Sequence, residues 1–234
     1  MTGAVLFDWR GTLAVTPPVG QWVGEALRSL GRNSAPGAVD DVVSAIARAD
    51  GAQHRLDGPG VDSDAALHRT TYRDVFADAG LDPDLAEALY ALESDPQRNP
   101  FADDVHETLV ALRDRGVRVA VVSDIHVDLR ATFAAAGLRA LVDVFTLSFE
   151  QGLQKPHPQM FERTLDALGV APDDALMVGD RSRPRRLTVR RAMCGHGACR
   201  PRNRATGAHR RRERDSRSGS SRTPGTASRW SGSR

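Results

Sequence analysis

The chain has 234 residues, 40% of them hydrophobic but only 5% aromatic, enough for a core built mainly of Ala, Val and Leu. That length suits one α/β core with a small inserted domain, and no run of 18 apolar residues offers a membrane-crossing helix. The formal net charge of +2 conceals a division: residues 1–180 carry 15 basic and 28 acidic side chains, net −13, whereas residues 181–234 carry 17 arginines against Glu213 and Asp215, net +15.

The first element is the apolar run Ala4 to Phe7, read as a buried strand that ends at Asp8. From about Val19 to Asp95 the pattern is helical. One helix is expected over Gln21–Leu30, with Trp22, Ala26, Leu27 and Leu30 on one face, and a second over Ala38–Arg48, with Val42, Val43 and Ile46 aligned. A third spans Asp64–Ala79 with Ser63 as its N-cap, and a fourth runs from Pro83 to about Leu92. Four helices without an intervening strand predict a helical insertion over residues 16–97. Strand and helix then alternate: a helix over Asp103–Arg115, a strand over Val117–Val122, a helix over Leu129–Ala136 and a strand over Val144–Leu147. A helix over Pro158–Leu168 and a strand over Ala175–Val178 complete the series. Such alternation predicts a Rossmann-like α/β core, residues 1–15 and 98–183, with a parallel sheet covered on both faces.

In such sheets chemistry gathers at the carboxyl ends of the strands. Asp8 follows the first strand, Ser123 and Asp124 the second, Asp180 the fourth, and Lys155 lies in the loop after the third. A carboxylate such as Asp8 can attack phosphorus or carbon and form a covalent intermediate. Asp8 and Asp180 together offer oxygen ligands to Mg²⁺. The Ser123 hydroxyl can donate to a phosphate oxygen, and Lys155, the only lysine beside 31 arginines, can neutralise developing charge. Read singly, each has a plainer account: a strand-end acid, a turn at Gly11-Thr12, a helix cap at Ser123. His126 and His157 read as surface or capping residues, and Trp9 as packing against the insertion or a substrate.

Taken in order, these segments resemble the haloacid dehalogenase superfamily over residues 4–182. Val5-Leu6-Phe7-Asp8-Trp9-Arg10-Gly11-Thr12-Leu13 is similar to its first motif, Val121-Val122-Ser123-Asp124 to its second, Lys155-Pro156-His157-Pro158 to its third and Met177-Val178-Gly179-Asp180 to its fourth. The resemblance implies a hydrolase with a helical cap after the first strand. The short loop before Lys155 leaves no room for the other common cap type. It implies Asp8 as nucleophile, and Arg10, Ser123 and Lys155 at catalytic positions. Gly11, Thr12, Ser123, Asp124 and Lys155 fall at substrate-binding positions. The resemblance further implies Mg²⁺ held by Asp8, the backbone carbonyl of residue 10 and Asp180, and a phosphorylated or halogenated small-molecule substrate.

Two departures stand out. The family's phosphatases carry an acid two residues after the nucleophile, where this chain has Arg10, a group that stays protonated and cannot exchange a proton with a leaving oxygen. A dehalogenase tolerates that change, because halide leaves without a proton, and Arg10 could then hold a substrate carboxylate. The other classes left open are a catalytically impaired binder of phosphorylated ligands and, through the basic tail, a non-specific nucleic-acid binder. The second departure follows Asp180, where a further acid and a fifth strand are due and Arg181-Ser182-Arg183-Pro184-Arg185-Arg186 stands instead. Residues 184–234 lack Ile, Phe, Tyr and Lys and show no helical or strand period, so a disordered tail is expected. Its composition matches an out-of-frame reading of a GC-rich gene. Translating the other frames downstream of Ser182 checks this: a strand and an acid should appear in one of them. Cys194 and Cys199 are the only cysteines, and Cys194-x-His196-x-x-Cys199 has too few ligands for a zinc knuckle. The cysteine-free body and the absence of a signal-like start predict a cytoplasmic protein.

Overall fold

The computed structural model describes residues 2–180. The expectations for the basic tail, the missing fifth strand and the Cys194–Cys199 segment lie outside the described residues. Four parallel strands, β1 (Ala4–Phe7), β2 (Arg118–Ser123), β3 (Val144–Leu147) and β4 (Ala175–Val178), form a sheet in the order β3-β2-β1-β4. All four residues of β1 are buried, as its unbroken apolar run requires of a strand covered on both faces.

Successive side chains in a strand point to opposite faces, and the register converts that into two cores. Val5 pairs with Val119 and Phe7 with Val121; these four face one layer, with Leu109, Phe133 and Trp9. Leu6 pairs with Ala120 and Met177, and with Ala4 and Val122 they face the other, where Met160, Phe161 and Leu165 pack. Helices α6 (Val105–Asp114) and α7 (Arg130–Ala135) serve the first layer and α9 (Pro158–Leu168) the second. Gly137 and Gly169 continue beyond α7 and α9 with positive φ, the conformation that ends a helix most easily with glycine. The chain steps β1 to β2 to β3 in one direction, then returns to β4 beside β1. Sheets of this kind bind ligands at such a reversal.

Between β1 and α6 every regular element is helical: α1 (Val19–Ser29), α2 (Pro36–Arg48), α3 (Ala52–Leu56), α4 (Ala65–Asp78), α5 (Pro83–Glu93) and short 3-10 turns at Val61–Ser63 and Pro96–Arg98. This insertion has its own core of Val23, Ala26, Leu27, Phe76, Leu85, Ala86, Leu89 and Tyr90. The face of α1 is shifted from the expected one. Val23 is buried and Leu30 is exposed, because the helix ends at Ser29. The N-cap of α4 is Asp64 rather than Ser63; its carboxylate accepts from the backbone N–H of Ala66 and of Leu67. A carboxylate at that end also meets the helix dipole favourably. Helix α3 and the short α8 (Ser148–Gln151) were not foreseen, since one turn of helix leaves no readable period.

Candidate active site

Asp8 leaves the carboxyl end of β1 with its backbone N–H donating to Val178 O of β4 at 2.9 Å. Its Oδ1 accepts from the Trp9 backbone N–H at 2.8 Å and from Lys155 Nζ at 2.6 Å. The same ammonium donates to Val122 O at 3.0 Å, so it sits across the ends of β1 and β2. The Lys155 backbone N–H donates to Asp124 Oδ1 at 2.7 Å, which ties the loop after α8 to the end of β2. Both charged side chains are mostly buried, at 14% and 13% exposure, where a charge-assisted bond is stronger than in water. Ser123 closes β2, buried, in register with Leu147 of β3.

The turn after Asp8 is compact. The backbone N–H groups of Leu13 and Ala14 both donate to Trp9 O at 3.0 Å, and Gly11 N–H donates to Ala14 O at 2.8 Å. Gly11 has φ +76°, and a Cβ placed on it would lie 2.6 Å from Asp180 Oδ2. The fourth strand end is thereby brought onto the first turn, with the Asp180 carboxylate in space that only glycine leaves. Gly11→Ala should therefore act twice: the left-handed conformation costs an alanine about 1–3 kcal/mol, and the new methyl displaces Asp180. The expected outcome is a lowered melting temperature with a disproportionate loss of turnover. An alanine variant with parental activity would detach Asp180 from the site. Thr12 contributes a buried hydroxyl with no hydrogen-bond partner among the described residues.

Arg10 turns away from this carboxylate cluster towards the insertion. Its Nη1 donates to Glu93 Oε1 at 2.6 Å and its Nη2 to Glu93 O at 2.7 Å, at the last residue of α5. Glu93 is 4% exposed. Around it lie His68 of α4, with Nε2 at 3.5 Å from Glu93 Oε2 and 3.9 Å from Asp62 Oδ1, and His126, whose ring stacks on that of His68 at 3.5 Å. Burial pushes His68 down to about 4 and His126 below its ordinary value. Burial, then the charges of Asp124 and Glu93, push Asp62 up to about 6.

This cluster escaped the sequence reading. His126 is buried at 5% exposure rather than a surface residue, while His157 does cap α9 by accepting from Gln159 N–H. Trp9 packs edge-on against Phe101 and tilted against Phe133 in the core. The available signal was Glu93 itself, an acid at the carboxyl end of a helix, where the dipole disfavours it.

A protein-family model for haloacid dehalogenase-like hydrolases matches residues 2–183, ending where the composition changes. Phosphoserine phosphatase of Thermus thermophilus is 33% identical over 132 residues, 54% of this chain and 53% of that protein. Human haloacid dehalogenase-like hydrolase domain-containing protein 3 is 34% identical over 96 residues, 41% of this chain and 38% of that one. The chain thus spans about half or less of the curated relatives it matches. In fold it is similar to L-2-haloacid dehalogenase of Xanthobacter autotrophicus, with TM-score 0.54 and 24% identity over 76% of this chain and 69% of that one. A 2-haloacid dehalogenase of Pseudomonas syringae pv. tomato gives TM-score 0.53 and 24% identity over 87% and 92%. No helix among the described residues is long and apolar enough to cross a membrane. With four motif segments meeting at one sheet edge and the family model spanning the whole described core, the chain belongs to the haloacid dehalogenase-like hydrolases.

Proposed function

We propose that the chain is a Mg²⁺-dependent phosphomonoester hydrolase with Asp8 as nucleophile, restricted to substrates with good leaving groups. The observation that carries this is the Lys155–Asp8 contact of 2.6 Å at the end of β1, which orients the carboxylate. Attack by an Asp8 oxygen forms an O–P bond and breaks the P–O bond to the leaving group. Water then cleaves the aspartyl phosphate to carboxylate and inorganic phosphate. Lys155 and the Ser123 hydroxyl balance charge on the phosphoryl oxygens, with Gly11, Thr12 and Asp124 shaping their surroundings. The donors suit a hard cation, because Asp180 occupies the cradle that Gly11 leaves open beside the Asp8 turn. Asp8, Asp180 and the Arg10 carbonyl would hold Mg²⁺ there, which when bound would supply positive charge to the phosphate.

Arg10 sets the restriction. It gives no proton to the departing oxygen, a contribution usually worth ~10²–10⁴ in rate, so leaving groups that depart as stable anions are favoured. The 2-haloacid dehalogenase reading shares this logic, since halide needs no proton. Against it, both terminal Arg10 nitrogens are held by Glu93 and not by a site for a substrate carboxylate. The test is a screen of the purified full chain on aryl and alkyl phosphomonoesters and 2-haloacids, with Mg²⁺ and with chelator. Mg²⁺-dependent turnover that falls steeply from aryl to alkyl esters supports the proposal. Halide release without Mg²⁺ replaces it with the dehalogenase reading, and binding without turnover of either class rejects both.

A further inference from the structure

We propose that Asp62, His68 and His126 bind a divalent transition-metal ion, Zn²⁺ by donor type, at a site separate from Asp8 and Asp180. One ligand atom from each of the three lies within 4.8 Å of the others. Tetrahedral bonds of 2.0–2.2 Å place donors about 3.4 Å apart, so the set closes with a contraction of up to about 1.4 Å. His68 Nδ1 faces Tyr90 Oη at 3.4 Å. A metal ion that takes the place of the Nε2 proton would find that nitrogen 3.9 Å from Asp62 Oδ1 and 3.5 Å from Glu93 Oε2.

One further atom lacks what a cation would provide. His126 Nε2 is buried without a hydrogen-bond partner among the described residues. An unmet polar atom in the interior costs about 1–3 kcal/mol, and one on a stacked histidine pair calls for an occupant. The imidazole rings stack with a tilt of 21°, so one must turn for both lone pairs to reach the ion. His126 Nε2 has no hydrogen bond to give up in turning. Imidazole nitrogen selects Zn²⁺ over Mg²⁺, which prefers oxygen. Asp62, with a side chain 40% exposed, provides the entry.

The site would tie the insertion to the sheet. Asp62 and His68 belong to the insertion and His126 to the loop after β2. Asp62 O already accepts from Ser148 Oγ at 2.6 Å across the same boundary. The experiment uses the full chain carrying Cys194→Ser and Cys199→Ser, which removes competing thiols, stripped with chelator and dialysed against Zn²⁺. One equivalent should be retained, with a raised melting temperature, and the Co²⁺-loaded chain should absorb in the visible. Asp62→Asn and His126→Ala should each weaken retention about tenfold or more and bleach the Co²⁺ bands, while His157→Ala leaves both unchanged. Asp62 is partly exposed, so its variant keeps the test decisive if His126→Ala folds poorly. No retained Zn²⁺ in the thiol-free chain, or retention equal in Asp62→Asn and the parent, would overturn the proposal.

Discussion

Asp8→Asn should reduce turnover of the best substrate to background, a loss of roughly 10⁴-fold or more, the scale seen when a nucleophile is removed. The amide oxygen can still accept from Trp9 N–H and Lys155 Nζ, the two contacts that Asp8 Oδ1 makes. The fold is therefore retained and the deficit is chemical, since an amide is a poor nucleophile towards phosphorus or carbon. The Lys155 ammonium loses its charged partner, so a modest fall in melting temperature accompanies the change. Steady-state kinetics beside circular dichroism separate the two effects. The intact mass must be checked, because deamidation would restore aspartate. A mass-verified Asp8→Asn variant that keeps a substantial share of the parental rate would remove Asp8 from the role of nucleophile.

The second large effect is expected at Arg10. Restoring an acid two residues after the nucleophile should raise phosphatase activity on alkyl esters, by up to ~10²-fold or more if proton transfer limits them. The structure adds an obstacle. Arg10→Asp removes the partner of a Glu93 carboxylate that is 4% exposed and sets a second acid beside it. Stripping one member from a buried pair costs about 3–5 kcal/mol; with Arg10 itself 32% exposed, the lower part of that range applies. The single variant should be destabilised and its gain masked, whereas Arg10→Asp with Glu93→Gln should recover stability and show the gain. Thermal unfolding and the ratio of alkyl to aryl ester turnover test this. If the double variant folds as stably as the parent yet has the same ratio, the missing acid is not what limits the chain.

The sheet was legible because its strands are short unbroken apolar runs ending in reactive side chains, and a strand buried on both faces has to read that way. Val144–Leu147 and Ala175–Val178 are found where the pattern put them, and the glycines after α7 and α9 marked the helix ends. The meeting of Asp8 with Lys155 also follows from topology, because parallel strands share one carboxyl edge. What the sequence did not disclose depends on side-chain direction across the insertion boundary. Residue 10 was legible as a departure, but its pairing with a residue 83 positions away was not. His68 and His126 stack only because α4 and the loop after β2 come together, and nothing local announces that. Ser63 and Asp64 are both good caps, and the backbone chose the one whose extended φ and ψ precede the helix.

The strand order also dictates when the chain can fold. β1 leaves the ribosome before the other three described strands, yet Ala4 pairs with Arg118 on one side and with Ala175 on the other. Neither partner exists until most of the body has been synthesised. Loop closure over such separations is entropically costly, and parallel pairings of this span form slowly. The insertion has no such wait. Its helices are complete before β2 begins and share a core of Val23, Leu27, Phe76, Leu85 and Leu89. During translation the nascent protein thus holds an assembled helical unit beside one unpaired apolar strand. Ala4–Phe7, too short to template much aggregation by itself, remains exposed until β2 covers one of its edges and β4 the other.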